Sequence, residues 1–163
     1  MSQRFSVAGK RILITGASSG FGAHFAMALA EEGADLVLAA RRVEKLEDTA
    51  RAVRDLGRDA TVVPMDVSDH ASVEAAFADM PALDVVVNNA GVSHEGPTEN
   101  IAEDEWDRVV DTNLIGLWAL SNLVIQPWKP VHRPGILIYL PPRLRSRLLG
   151  AAAHYYYHPA AVG

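Results

Sequence analysis

Ile12-Leu13-Ile14-Thr15-Gly16-Ala17-Ser18-Ser19-Gly20-Phe21-Gly22 decides how the rest of the chain is read. Branched apolar residues run into a turn of small residues, and the turn opens onto a helical pattern. Gly16, Gly20 and Gly22 stand in a G-x-x-x-G-x-G spacing. A strand that turns this sharply needs backbone angles that a Cβ resists. A phosphate brought against the turn leaves no room for side chains. The helix that follows offers it unpaired N–H groups and the positive end of its dipole. Ser18 and Ser19 add hydroxyl donors at the same place. A glycine turn alone also fits a tight βα connection with no ligand, so the weight falls on its surroundings.

Downstream, Phe21, Phe25, Ala28 and Leu29 recur at helical spacing, and Gly33 offers a stop. Leu36-Val37-Leu38-Ala39-Ala40 is an apolar run of strand length, which completes a βαβ unit. Strands apolar on both faces belong to parallel sheets. Arg41 and Arg42 follow at once. In dinucleotide-binding folds the end of this strand faces the adenosine ribose. An acid there would repel a 2′-phosphate and arginine favours it. The pair therefore reads as a preference for NADP(H) over NAD(H), although two arginines also suit the solvated start of the next helix.

Leu46, Ala50, Val53 and Leu56 give that helix one apolar stripe, ended by Gly57. Residues 60–63 read as a third strand leading to Met65-Asp66-Val67, with Ser68 and Asp69 as helix caps. Asp66 could accept a bond from an adenine amino group or serve as a turn aspartate. Val73, Ala76, Phe77 and Met80 make another stripe before Pro81. Residues 83–87 form a fourth strand that ends in Asn88-Asn89-Ala90-Gly91. Small residues there leave room for a ligand above the sheet, and the amides can also tie neighbouring strands together. Residues 103–123 read as one long helix with Asn113 inside it, ended by Pro127 and Pro130. Asn competes for backbone bonds inside helices, so Asn113 is either functional or a core amide with satisfied bonds. Residues 136–139 form a fifth strand. Strands alternating with helices, and ligand-like features at each strand's C-terminal end, describe a doubly wound parallel α/β sheet with its site above the strand tips.

The 163 residues suit one domain with a real core, and the absence of cysteine excludes disulfides and thiolate metal sites and is compatible with the cytoplasm. Residues 1–11 are polar and mixed, which reads as no signal peptide. The apolar run 114–125 is too short and too broken to span a membrane. Charge is uneven: ten basic and 20 acidic side chains lie at or before Asp111, and five basic and no acidic ones after it. Only Arg143, Arg145 and Arg147 cluster in that basic tail, too few to indicate nucleic acid.

Four motifs in order, Thr15–Gly22, Asp66-Val67, Asn88–Gly91 and Asp111-Thr112-Asn113, resemble the short-chain dehydrogenase/reductase family. The resemblance covers residues 7–128 of a single 1–163 domain, and 129–163 diverge. It implies a Rossmann fold of three α/β/α layers and hydride transfer between NADP(H) and a small carbonyl or alcohol substrate. It implies that Gly16, Ser18, Ser19, Gly20, Phe21 and Gly22 hold the pyrophosphate, that Arg41 and Arg42 mark the NADP-preferring type, that Asp66 and Val67 lie by the adenine, and that Asn89, Ala90 and Gly91 line the nicotinamide side. Asn113 would take part in a proton relay, and a homo-oligomer would form through the long helix.

The family also needs a serine after the fifth strand and a Tyr-x-x-x-Lys pair on the next helix. Tyr155 aligns as the tyrosine, which puts Pro159 at the lysine and Pro141 and Pro142 at the serine pair. Proline supplies neither hydroxyl nor charge, and in a helix beginning near Tyr155 the Pro159 ring would cost about 3 kcal/mol. A second register gives His154 and His158 the two roles. With no carboxylate nearby, that i, i+4 pair does not read as a metal site. Six of the 9 prolines lie from Pro127 onward, which suggests a truncated or altered C-terminal end. The family's last strands would then be missing and the fifth strand left as an exposed edge. The leading expectation is an NADP(H)-preferring oxidoreductase with Asn113 and Tyr155 as its catalytic residues. The alternative is a catalytically impaired nucleotide-binding module or an incomplete fragment.

Overall fold

A computed structural model describes residues 6–94, 100–128, 135–140 and, as backbone, 153–157. Its elements in chain order are β1 (Arg11–Thr15), α1 (Gly20–Glu31), β2 (Asp35–Ala40), α2 (Val43–Asp55), β3 (Ala60–Pro64), α3 (His70–Ala78) and β4 (Val85–Asn88). There follow α4 (Glu103–Val110), a π-helical turn (Asp111–Ile115), α5 (Gly116–Trp128), β5 (Gly135–Tyr139) and β6 (Ala153–Tyr157). The strands pair in the order β3-β2-β1-β4-β5-β6. The first five are parallel. This is the doubly wound Rossmann sheet expected from the strand runs.

Both faces of the sheet are covered, which is why the central strands are apolar at almost every position. Alternate side chains of a strand point to opposite faces. Ile12, Ile14, Leu36 and Leu38 meet Ala26, Ala30, Leu46, Ala50 and Val53 of α1 and α2. Leu13, Val37, Val86 and Leu137 meet Val73, Leu120, Val124 and Trp128 of α3 and α5. Each fully buried Leu or Val here contributes about 1.5–3 kcal/mol relative to exposure. Trp128 also donates from Nε1 to the Leu83 carbonyl at 2.9 Å. Its ring lies over Gly135, where a Cβ would overlap it.

Helix α1 departs from the expected stripe. Gly22, Ala26 and Ala30 are its buried residues, whereas Phe21 is half exposed and Ala28 faces solvent. Phe25 and Leu29 pack only at the flank of the core. A helix that starts this soon after its strand lies close to the sheet, and only small side chains fit the contact. In α2 the buried face is Leu46, Thr49, Ala50 and Val53, with Leu56 beyond the helix end and exposed. Thr49 is accommodated because its hydroxyl donates to the Ala17 and Lys45 carbonyls, each at 3.2 Å.

The helix expected over 103–123 runs on to Trp128 and is interrupted by the π turn. Pro127 sits inside its last turn and does not end it. The run Glu103–Trp128 is 26 residues long and is, by length and composition, apolar enough to cross a bilayer. Its inner face, however, lies on the sheet through Leu120, Val124 and Trp128, the position of a core helix.

The expectation of an exposed edge at the fifth strand is corrected. β6 pairs antiparallel with β5, from Gly135 opposite Tyr157 to Tyr139 opposite Ala153. The aromatic run 155–157 has high strand propensity, and an unpaired central strand presents a ready hydrogen-bonding edge. Residues 153–157 are therefore extended, and no helix begins at Tyr155. Pro141, Pro142, Arg143, Arg145, Arg147, His158 and Pro159 lie outside the described residues.

Candidate active site

The C-terminal ends of β1, β2 and β4 open into one cavity of about 260 Å³. The sequence-predicted residues Gly16, Ser18, Ser19, Gly20, Phe21, Arg41, Arg42, Asp66, Val67, Asn89, Ala90 and Gly91 all line it. Phe25, Ala40, Met65, Val92, Ser93, Thr112 and Leu140 line it too and were not assigned to the site from the sequence, because it is the meeting of remote elements that brings them to the cavity. Gly22 stands behind the cavity wall.

The glycine turn has the geometry its spacing implied. Gly16 has φ +68 and Gly20 φ +57, left-handed angles that favour glycine. Ser19 is the N-cap of α1, yet its side chain makes no cap bond, and the first turn holds no acidic residue. A Cβ at Gly20 would meet no protein atom within 4 Å. Open space over an uncapped helix N-terminus is what an anionic diphosphate needs.

Thr15 organises the opposite wall. Its hydroxyl accepts from the Asn89 and Ala90 amides at 3.1 and 3.0 Å. Asn89 returns a bond from Nδ2 to the Thr15 carbonyl at 2.9 Å. The amide thus ties β4 to β1. Thr15 is 1% exposed, so Thr15→Val removes both acceptor contacts where water cannot easily replace them. We expect a loss of about 2–3 kcal/mol, read by urea unfolding. An unchanged midpoint would show that the two amides find other partners.

The two arginines divide the site. Arg42 Nη2 donates to Ser19 Oγ at 2.8 Å and to Ser18 Oγ at 3.2 Å. Arg41 Nη1 lies 3.6 Å from Asp66 Oδ2. Burial, the largest single influence, pushes the Asp66 carboxyl up; the Ser68 hydroxyl and amide, with the Arg41 guanidinium, outweigh it and hold the carboxyl below its ordinary 3.8. Ionised Asp66 therefore adds stability that is fully present above 3.8 and is lost as pH falls through the lower folded value. Asp66→Asn is expected to flatten the acid limb of stability below pH 3.8, measured by thermal unfolding across pH; an unchanged acid limb would count against this role.

Asn113 projects from the π turn to the loop after β4. Its Oδ1 accepts from Val92 N at 2.9 Å, and its Nδ2 donates to the Val92 carbonyl at 2.8 Å. Tyr155 stands on β6 in register with Leu137. Among the described residues no group of His, Cys, Asp and Glu side chains could hold a metal ion.

The fold and cavity define a doubly wound Rossmann protein with an open cleft above its strand tips, and comparison with known proteins makes that specific. The short chain dehydrogenase family model matches residues 10–139. An uncharacterized oxidoreductase of Listeria monocytogenes is 40% identical over 116 residues, covering 69% of this chain and 47% of its own length. A metagenomic short-chain oxidoreductase in complex with NADP superposes with a TM-score of 0.75 at 34% identity, over 83% of this chain and 63% of that one. The L-sorbose reductase of Gluconobacter frateurii, complexed with NADPH and L-sorbose, superposes with a TM-score of 0.72 at 28% identity, over 78% of this chain and 50% of that one. The chain belongs to the short-chain dehydrogenase/reductase family. It spans about half the length of the curated relatives it matches.

Proposed function

We propose that the chain serves a nicotinamide-dependent oxidoreductase that prefers NADP(H) and interconverts a small carbonyl compound and its alcohol. The observation that carries the reading is the pair Arg41 and Arg42 directly after β2, with Arg42 turned to the glycine turn and no acid at the end of that strand. The residues present suit the cofactor: open space over Gly20 for the pyrophosphate, Arg42 for a 2′-phosphate, Asp66 for an adenine amino group, and Asn89 to Gly91 along the nicotinamide side. The nicotinamide, when bound, supplies or accepts the hydride. The chain's own part is to bind and orient it, with Asn113 and Tyr155 proposed for proton handling. The substrate is a small molecule, as for the sorbose reductase. A cytoplasmic location fits the cysteine-free sequence. A homo-oligomer fits the exposed Trp106, Leu114, Ile115 and Trp118 along the long helix.

Calorimetric titration with NADPH and NADH tests the cofactor half. Tighter NADPH binding is expected; equal affinities overturn the preference, and no binding overturns the cofactor assignment. NADPH oxidation with a panel of aldehydes and ketones tests the chemistry, and its absence with binding intact overturns the reaction. Tyr155→Phe is expected to lower turnover at least about 100-fold with NADPH affinity unchanged, the scale of lost acid–base catalysis. Undiminished turnover removes Tyr155 from the mechanism.

A further inference from the structure

The long helix touches both walls of the cavity within one turn. Gly116, the residue that follows the π turn, is seated on Val67: a Cβ there would overlap the Val67 carbonyl and come within 3.1 Å of the Asp111 oxygen. Asn113, within the π turn, grips both backbone groups of Val92. Val67 and Val92 are both cavity walls, Val67 following Asp66 on the adenosine side and Val92 following Gly91 on the nicotinamide side. Asn113 and Gly116 are three residues apart, about 4–5 Å along a helix axis. One wall is held by steric contact with backbone and the other by a two-point hydrogen bond. One turn of the helix thus contacts both walls. A π turn holds one residue more than an α turn, and such turns recur at functional sites. Here it widens the helix at the point where Asn113 reaches the loop.

We infer that Gly116 and Asn113 are positioning residues: a brace that fixes the separation of the two cleft walls, so that filling the adenosine end alone orders the Val92 end. This rests on the proposed reading that adenosine lies at the Arg41 and Asp66 end.

The test is amide hydrogen exchange of the full chain, free and saturated with 2′,5′-ADP, which reaches only the adenosine end. The Val92 amide is expected to slow about tenfold more than the Leu13 and Val86 amides, which sit at the sheet centre and report global stabilisation. Binding with Val92 slowed no more than those core amides overturns the brace alone. Failure of 2′,5′-ADP to bind overturns the cofactor reading and the brace with it. Gly116→Ala gives a second readout. It is expected to weaken 2′,5′-ADP about tenfold and to erase the extra protection at Val92; a variant that binds and protects as the parent does overturns the inference. The exchange experiment on the unsubstituted chain stands even if that variant does not fold.

Discussion

Gly22→Ala is expected to lower stability by about 3 kcal/mol or more and to abolish measurable NADPH binding. Gly22 is buried in the first turn of α1. A Cβ there would overlap the Gly16 carbonyl oxygen and lie 2.7 Å from Asn89 Nδ2. Neither neighbour can step aside at low cost. The first is backbone in a left-handed turn, and the second is the amide that holds the Thr15 carbonyl. Either α1 lifts from the sheet or the turn shifts, and both displace the N–H groups that would meet the pyrophosphate. For a chain of this size 3 kcal/mol corresponds to a fall in Tm of about 6–12 °C. Gly20→Ala is the control in the same loop. Its added Cβ meets nothing, so only the left-handed angle opposes it, at about 1–2 kcal/mol. Thermal unfolding of the two variants side by side decides the matter; equal Tm values would mean that the contact between Gly22 and Gly16 is not what holds the turn.

Arg42→Ala is expected to weaken NADPH about 30–100-fold and to leave NADH within about twofold, erasing the preference. A charge-assisted pair between guanidinium and phosphate contributes roughly 2–3 kcal/mol, and 1.4 kcal/mol is tenfold in affinity. Arg42 is already turned to the loop through the Ser18 and Ser19 hydroxyls. A bound 2′-phosphate would therefore find the guanidinium in place. Arg41→Ala should do less, because Arg41 is partly neutralised by Asp66. Both arginines are exposed, so the NADPH advantage should shrink as salt is raised. Calorimetry at two ionic strengths reads all of this, and an equal loss for NADPH and NADH would remove Arg42 from the recognition of the 2′-phosphate.

Much of the cavity lining was legible beforehand, in part because its residues obey backbone rules and in part through the family resemblance. Glycines with positive φ, apolar runs on both faces of parallel strands and small residues at strand ends are local necessities, and they leave a mark in one dimension. The alternation of strands and helices marks a doubly wound sheet with right-handed crossovers, whereas the order β3-β2-β1-β4-β5 is seen only in the structure. What escaped notice has no local mark. Thr15 reads as the last strand residue, and only the arrival of β4 beside β1 makes its hydroxyl the acceptor for Asn89 and Ala90. Gly116 reads as a break in an apolar run, and only the Val67 carbonyl explains it.

The sequence by itself determined the fold class and the cavity end of the sheet, which depend on periodicity and on conformations open to glycine, and, with the family resemblance, most of the residues that line the cavity. Tertiary structure decided what depends on distance between elements remote in sequence. It put Ala26 and Ala30, not Phe21, on the sheet, since the gap under α1 admits only small side chains. It gave Arg42 to the serines and Arg41 to Asp66, although the two arginines are adjacent and chemically alike. It drew the backbone of 153–157 into a strand beside β5, since that edge offers hydrogen bonds that local propensity alone does not reveal.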